Sequence, residues 1–301
     1  MVPETSEAPT KTEYRENSNW HWTLFFDIYF VLSFICLVTD CVLITVIAKY
    51  RRLRNRKSNM LILHWTICDM TFQALHPVIF RLASKSNVQS WYHVMVCVME
   101  EFCYMLLIVQ VLFVVLLTFY WYYEIHDPTK LVKFNSYMTH WIIFVYCFGL
   151  FLLGIHIGNC ATHFFTGHMG IMFSILGFLV YFLFTLIMNT VSLVKRKLNR
   201  STSNPFGNIN FILSNFFFFC KFSVLVATLV SSIFQFHSIG VMLAVLFAVS
   251  NSIFNLNILY IYDDDYKIFL TNILTWKCAR YNDEFVNEPV TFANRDGESR
   301  I

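Results

Sequence analysis

Residues 20–57 read WHWTLFFDIYFVLSFICLVTDCVLITVIAKYRRLRNRK, and two features of this stretch decide the fold. The 29 residues from Trp20 to Ala48 are almost wholly apolar. As a helix they would extend for about 43 Å, more than the roughly 30 Å of a bilayer's hydrocarbon core. The next nine residues, Lys49 to Lys57, then hold six basic side chains: Lys49, Arg51, Arg52, Arg54, Arg56 and Lys57. An apolar run closed by a basic cluster is a membrane span that ends on the cytoplasmic side.

The pattern repeats along the chain. Apolar runs fall at roughly 20–48, 59–81, 92–123, 137–157, 170–194, 208–235 and 239–262, joined by short loops. Composition agrees: 57% of the residues are hydrophobic and 14% charged, against about 25% charged in a soluble domain. The mean hydropathy is +0.55. A disordered chain is excluded, and a water-soluble globule is argued against because most of its surface would be apolar. No internal repeat is visible, which argues against a transporter built from two inverted halves. Residues 1–19 are polar and no cleavable signal precedes the first run, so that run is expected to stay as an anchor.

Lys and Arg alternate between the loops. The loop after span three adds Lys130 and Lys133, and the loop after span five adds Lys195, Arg196, Lys197 and Arg200. The loop after span two has only Arg81 and Lys85, and those after spans four and six have none. Twelve against two predicts an N-terminus outside and odd-numbered loops in the cytoplasm. The nine cysteines form no CxxC pair, so a zinc or redox centre has no support.

After span seven comes DDDYKIFLTNILTWKC, residues 263–278. Asp263, Asp264 and Asp265 suit a helix N-terminus, where backbone N–H groups lack partners. Tyr266, Phe269, Leu270 and Ile273 follow at helical spacing on one face. The segment is too short to span and is predicted to lie on the cytoplasmic leaflet, with Trp276 at headgroup level and Cys278 a candidate for palmitoylation. The expected organisation is therefore an extracellular tail 1–19, a seven-helix membrane domain 20–262, an interfacial eighth helix 263–278 and a cytoplasmic tail 279–301.

This layout resembles a G-protein-coupled receptor, and the residues carry a rhodopsin-like (class A) pattern in eroded form. Asn59-Met-Leu-Ile-Leu-His-Trp-Thr-Ile-Cys-Asp69-Met resembles the family's N-L-x-x-L-N-L-A-x-x-D-L, and Pro77 follows Asp69 by eight. Trp91 precedes Cys97 as in the family's W…C pair, and Trp141 fits the lone tryptophan of span four. Cys160 falls where the family has, in its second outer loop, a partner for Cys97; the resemblance implies that they form a disulfide. Phe217-Phe-Phe-Cys220-Lys221-Phe-Ser223 is similar to F-x-x-C-W-x-P, and Leu256-Asn257-Ile-Leu-Tyr260 to N-P-x-x-Y. Each match alone is unspecific; their order covers almost the whole chain.

There are departures. The D-R-Y place reads Tyr120-Trp121-Tyr122, without the arginine that in the family locks the resting state and meets the G protein. Asp40 replaces the span-one asparagine. Short loops, a short tail and phenylalanine-rich spans are similar to invertebrate chemoreceptors of the nematode serpentine kind.

The resemblance implies a set of site residues. Asp40 and Asp69 would sit side by side at mid-membrane, with Gln110 and Ser252 facing the same space. Family members hold sodium there; Lys221 is expected to supply the cation here. At the outer half, Glu100 and Glu101 follow Cys97 by one helical turn, so at least one is expected at the pocket mouth. Tyr104 stands where amine receptors carry an aspartate, which argues against a monoamine ligand. His76, seven residues after Asp69, shares its face. Trp121, Tyr122 and Tyr260 are the candidate cytoplasmic coupling residues.

Seven of the ten histidines fall near the outer face, namely His21, His76, His93, His156, His163, His168 and His237, but at no metal-binding spacing. No metal and no cofactor are expected. No G-x-S-x-G, H-E-x-x-H or phosphate loop points to an enzyme. Nothing beyond the first-loop basic run suggests nucleic acid, and topology explains that run. The sequon Asn199-Arg-Ser201 is placed inside, where glycosylation does not occur.

The expected function is a plasma-membrane receptor for a small extracellular ligand, with a heterotrimeric G protein or arrestin as cytoplasmic partner. The rival is a channel or transporter using Asp40, Asp69 and Lys221 as an ion path. Both depend on orientation. A tag in the Lys195–Arg200 loop should be inaccessible to antibody on intact cells and a tag at residue 2 accessible; the opposite pattern would overturn the receptor reading.

Overall fold

The computed structural model describes residues 11–83, 90–162, 169–199, 208–234 and 239–274, and these are almost entirely helical. The helices are α1 (Lys11–Lys49), α2 (Arg51–Arg54), α3 (Lys57–Ala83), α4 (Ser90–His126), α5 (Pro128–Ser136), α6 (Met138–Thr162), α7 (Met169–Asn199), α8 (Ile209–Phe234), α9 (Ile239–Val249), α10 (Asn251–Tyr262) and α11 (Asp264–Leu274). Helix α1 begins inside the stretch read as a polar tail. Trp276, Cys278, His163, His168, His237 and the 279–301 tail lie outside the described residues.

Four helices are long and apolar enough to cross a bilayer: Trp22–Lys49, Val94–His126, Met138–Gly158 and Leu176–Lys195. A fifth crossing is available if α9 and α10, bent by 43° at their junction, act together. Helix α3 has the length, but His64, Asp69, Gln73 and His76 dilute its apolar character. The apolar stretch of α8, Ile209–Val224, is shorter.

The molecule has its oil on both sides. Helix α4 is the most enclosed of the four long apolar helices, and Phe113, Leu117 and Trp121 along it are fully buried. Helices α6 and α7 turn large side chains outward; Phe144, Leu150, Phe151, Leu183, Leu186 and Ile187 are each more than half exposed or close to it. So much apolar surface on the outside of a packed bundle is unfavourable in water and suits hydrocarbon.

Helix α6 meets α4 closely. A Cβ on Gly149 would stand 2.6 Å from Val109 Cγ2, so only glycine permits that approach. Nearer one end the same two helices carry the disulfide Cys97–Cys160, with Cα atoms 6.0 Å apart. Cys160 lies within α6 and not in a loop, because the helix runs on to Thr162. The staple therefore joins helix to helix and is not a lid over a pocket.

The loop read between spans three and four holds α5. Asp127 caps it, accepting from Lys130 N at 3.2 Å, and Pro128 occupies the first turn, where its missing N–H costs nothing. The Thr129 hydroxyl, then the Lys130 ammonium and N–H, hold the Asp127 carboxyl down at about 2. The cap is thus fully present above the ordinary carboxylate range and lost only as pH falls through about 2.

The disulfide closes a sequence separation of 63 residues. The chain-entropy model then gives about 4 kcal/mol of stabilisation. Cys160→Ser should lower the melting temperature markedly, and mass mapping without reductant should recover the linked peptides. Free thiols at both positions in folded protein would refute the staple.

Candidate functional site

The polar core forms where α9 breaks from α10. Ser250 separates the two helices, and Ile253 N donates to Ser250 O at 3.1 Å. The carbonyls just before the break are met by side chains. Lys221 Nζ donates to Ala248 O at 3.4 Å, Cys36 Sγ to Val249 O at 3.2 Å and Gln73 Nε2 to Val249 O at 3.4 Å. Three helices, α8, α1 and α3, thereby supply donors to an interrupted fourth. Non-helical backbone survives at membrane depth only where protein or water satisfies it in this way.

One turn on, Ser252 brings two acids together. Its hydroxyl lies 2.7 Å from Asp69 Oδ2 and 3.1 Å from Asp40 Oδ2, with all three residues at most 2% exposed. A hydroxyl has one proton to give. The second contact closes only with a further proton on a carboxyl or a cation between the two. Asp69 Oδ1, Gln73 Oε1, both polar atoms of Gln110 and both of Asn251 are buried without a hydrogen-bond partner among the described residues. Unsatisfied polar groups at this density are costly, and water or an ion is the usual remedy.

The expected meeting of Asp40, Asp69 and Ser252 thus occurs. Gln110 is buried, with no hydrogen bond to them. Lys221 is not within ion-pair distance of either acid: its ammonium takes the Ala248 carbonyl and lies 5.6 Å from the Phe217 ring centroid. The contact to the Ala248 carbonyl was not legible in the sequence, because a break in a helix is invisible in an apolar run.

The outer candidates separate. Glu101 is buried and turned to α6, where its Oε2 is 2.9 Å from His156 Nδ1, one turn from the disulfide. His156 therefore belongs to a helix contact. Tyr29 hydroxyl and His76 Nδ1 are 2.6 Å apart, and Phe72 stacks on the same imidazole at 4.7 Å. Glu100 and Tyr104, four residues apart on α4, are half-buried. None of Glu100, Glu101, Tyr104 and His76 lines the cavities found along α1.

At the other end, Trp121 is fully buried, edge-on to Phe211 of α8 at 4.9 Å. Tyr122 lies beneath the Lys195 ammonium at 5.0 Å, and Tyr260 is exposed. Glu124 Oε2 accepts from Asn208 Nδ2 at 2.7 Å and Asn210 Nδ2 at 3.4 Å, and His126 Nε2 is 2.7 Å from Ser192 Oγ. Helix α4 is thus tied to α8 and α7 by polar contacts at this end.

The basic run and the three aspartates also meet. Arg56 pairs with Asp263 at 2.6 Å and with Asp265, and Arg52 reaches Asp265 at 3.2 Å. Asp263 Oδ1 caps α11, accepting from Asp265 N at 2.9 Å and Tyr266 N at 3.3 Å. The apolar face of α11 turns into the bundle: Tyr266, Phe269 and Leu270 are buried, and Phe269 stacks on Tyr50 at 3.9 Å. Burial, with the Asp263 carboxylate nearby, pushes the Tyr266 phenol well up. Reading each charge cluster alone, as topology signal or cap, missed their complementarity.

No protein-family model matches the chain, and no curated protein matches it.

The shared hydroxyl makes a measurable prediction. Ser252→Ala leaves two buried acids without their donor and should cost about 1–3 kcal/mol. Asp40→Asn beside it should recover part of that loss, with a coupling of at least about 0.5 kcal/mol in a double-mutant cycle of thermal stability. Additive effects would show that the two residues do not interact.

Proposed function

We propose that the chain is a divergent seven-transmembrane receptor of the rhodopsin-like kind, with its N-terminus outside and α11 as its eighth helix, which answers a small extracellular ligand through a cytoplasmic partner. In this reading α1, α3, α4, α6, α7, α8 and the α9–α10 pair are the seven spans. The observation that carries it is the convergence of Asp40, Asp69 and Ser252 on one buried hydroxyl. That constellation unites spans one, two and seven, as the sequence resemblance implies, and no single helix could produce it. The disulfide between the spans read as three and four is a second support.

The polar ties at the Glu124 end fit a resting state. The family's arginine lock is missing, and Trp121 fills the α4–α8 contact instead. The Glu124 contact to Asn208 is exposed and that to Asn210 part-buried, and both lie where α4 and α8 would part to admit a G protein or arrestin. A ligand that favours the parted packing would shift the population without new chemistry.

The channel reading draws on the unsatisfied polar atoms around Asp69 and Gln110, which would suit a water path. Purified protein in liposomes separates the two: a receptor gives no ion flux without a partner, whereas sustained flux would replace the receptor reading. Glu124→Ala should raise ligand-independent arrestin recruitment about two- to fivefold, the shift that follows from removing roughly 0.5–1 kcal/mol of exposed polar contact from the resting packing. Unchanged basal recruitment in a variant expressed at the surface would rule out this tie as a resting-state lock.

A further inference from the structure

The first basic loop divides its cations between two tasks. Arg52 and Arg56 are engaged with Asp263 and Asp265. The other four, Lys49, Arg51, Arg54 and Lys57, are exposed and enter no ion pair among the described residues. Lys267, on α11, is exposed likewise. Over residues 49–57 and 263–267 seven cations stand against three carboxylates, so this surface keeps a net charge of four positive.

The fold sets where these charges stand. Leu53 is fully buried and pins the single turn of α2 by one side. Arg51 and Arg54, three residues apart on that turn, are neighbours on its outer surface. The Arg54 side chain folds back, and its Nη1 donates to Ala48 O at 3.1 Å. Ala48 lies in the last turn of the apolar stretch Trp22–Lys49. A guanidinium tied there stands where hydrocarbon gives way to headgroups. Of its five N–H donors one is used, because Ala48 O is its one hydrogen-bond acceptor among the described residues. Lys49, next to Ala48 in the chain, carries its ammonium 5.7 Å from the Tyr50 ring centroid. Keeping a loop on the cytoplasmic side requires only its charge. It does not require a guanidinium held at the end of the span beside a second exposed arginine.

We propose that this surface binds a lipid of the adjoining leaflet whose headgroup carries several phosphates, of the inositol bisphosphate type. Arg51 and Arg54 present planar forks that match phosphate oxygens. Lys49 and Lys57 flank them in the chain and add compact charges on flexible stems. Such a head carries about four to five negative charges, about 1.5–2 from each phosphomonoester and one from the diester. That is close to the net charge of the surface. A phosphatidylserine head has a single net negative charge, and several copies would be needed to answer the same cations. The acyl chains remain in the bilayer beside the span that ends at Lys49, so the lipid is anchored by its own apolar part and a soluble inositol phosphate is not.

The site requires only that α1 crosses a bilayer, and it stands whether the protein signals or conducts. Its assignment to the cytoplasmic leaflet rests on the proposed orientation, which the tag experiment tests separately. Nanodiscs expose both faces, so binding there does not depend on orientation.

The test uses the full chain in phosphatidylcholine nanodiscs containing either phosphatidylinositol bisphosphate or phosphatidylserine at matched total charge, with retained lipid counted by native mass spectrometry. The bisphosphate lipid should be retained at least about fivefold over phosphatidylserine. Arg51→Gln and Arg54→Gln should each lower its retention about fivefold, the weight of one basic side chain at a charged membrane surface. Lys133→Gln removes the same charge from an exposed position on α5 and should leave retention unchanged. Soluble inositol trisphosphate should displace the lipid only in large excess. Equal retention of the two lipids, or an equal loss from Lys133→Gln and Arg54→Gln, would mean attraction by bulk charge and overturn the proposal. Displacement by equimolar inositol trisphosphate would overturn the lipid as the occupant. The lipid comparison on the unmodified protein decides the matter even if a variant fails to fold.

Discussion

The interrupted helix between Val249 and Asn251 is the constraint around which the bundle is organised. A backbone carbonyl that loses its helical donor inside an apolar slab has no water to turn to, and each such group costs several kcal/mol unless protein answers it. Here Lys221, Cys36 and Gln73 answer, from three different helices. Those donors fix how α1, α3 and α8 are placed about the break. The same placement puts Asp40 and Asp69 against Ser252. The buried acids and the helix break are therefore one feature, and changing either disturbs both.

Two clamps hold the bundle away from that centre. At one end the α4–α6 contact is made by the disulfide and, one turn away, by Glu101 and His156. At the other, Arg52 and Arg56 bind Asp263 and Asp265 and seat α11 against Tyr50. The Arg56 pair is only part-buried, so its value is mainly geometric: it fixes where the chain goes after α10. At its His126 end, α4 joins α7 and α8 by polar links beside the buried Trp121–Phe211 contact.

Some of this was legible in the chain. Apolar runs closed by basic loops gave the helical membrane character, because bilayer thickness and backbone satisfaction leave few alternatives. The resemblance implies one polar cluster of Asp40, Asp69, Gln110 and Ser252, and Asp40, Asp69 and Ser252 do meet. Cys97 and Cys160 paired as the resemblance implied. The partners of individual side chains were not legible. Charge alone places Lys221 at the acids, yet its ammonium donates to the Ala248 carbonyl, a weaker acceptor than a carboxylate but one the helix break leaves open. The turn after Cys97 places at least one of Glu100 and Glu101 at a pocket mouth, yet Glu101 faces His156 between helices.

What the sequence determined by itself is that the apolar runs are helical and suit a bilayer, because hydropathy acts along the chain. The tertiary structure alone decided which groups meet across it: where the last apolar run breaks, which side chains satisfy the exposed carbonyls, and that the first basic loop binds the Asp263–Asp265 cap. Those contacts join residues as many as 213 positions apart. They are set by helix rotation and packing angle, and neither is written in periodicity, because a bundle of nearly all-apolar helices offers little amphipathic contrast to fix the facing of each one.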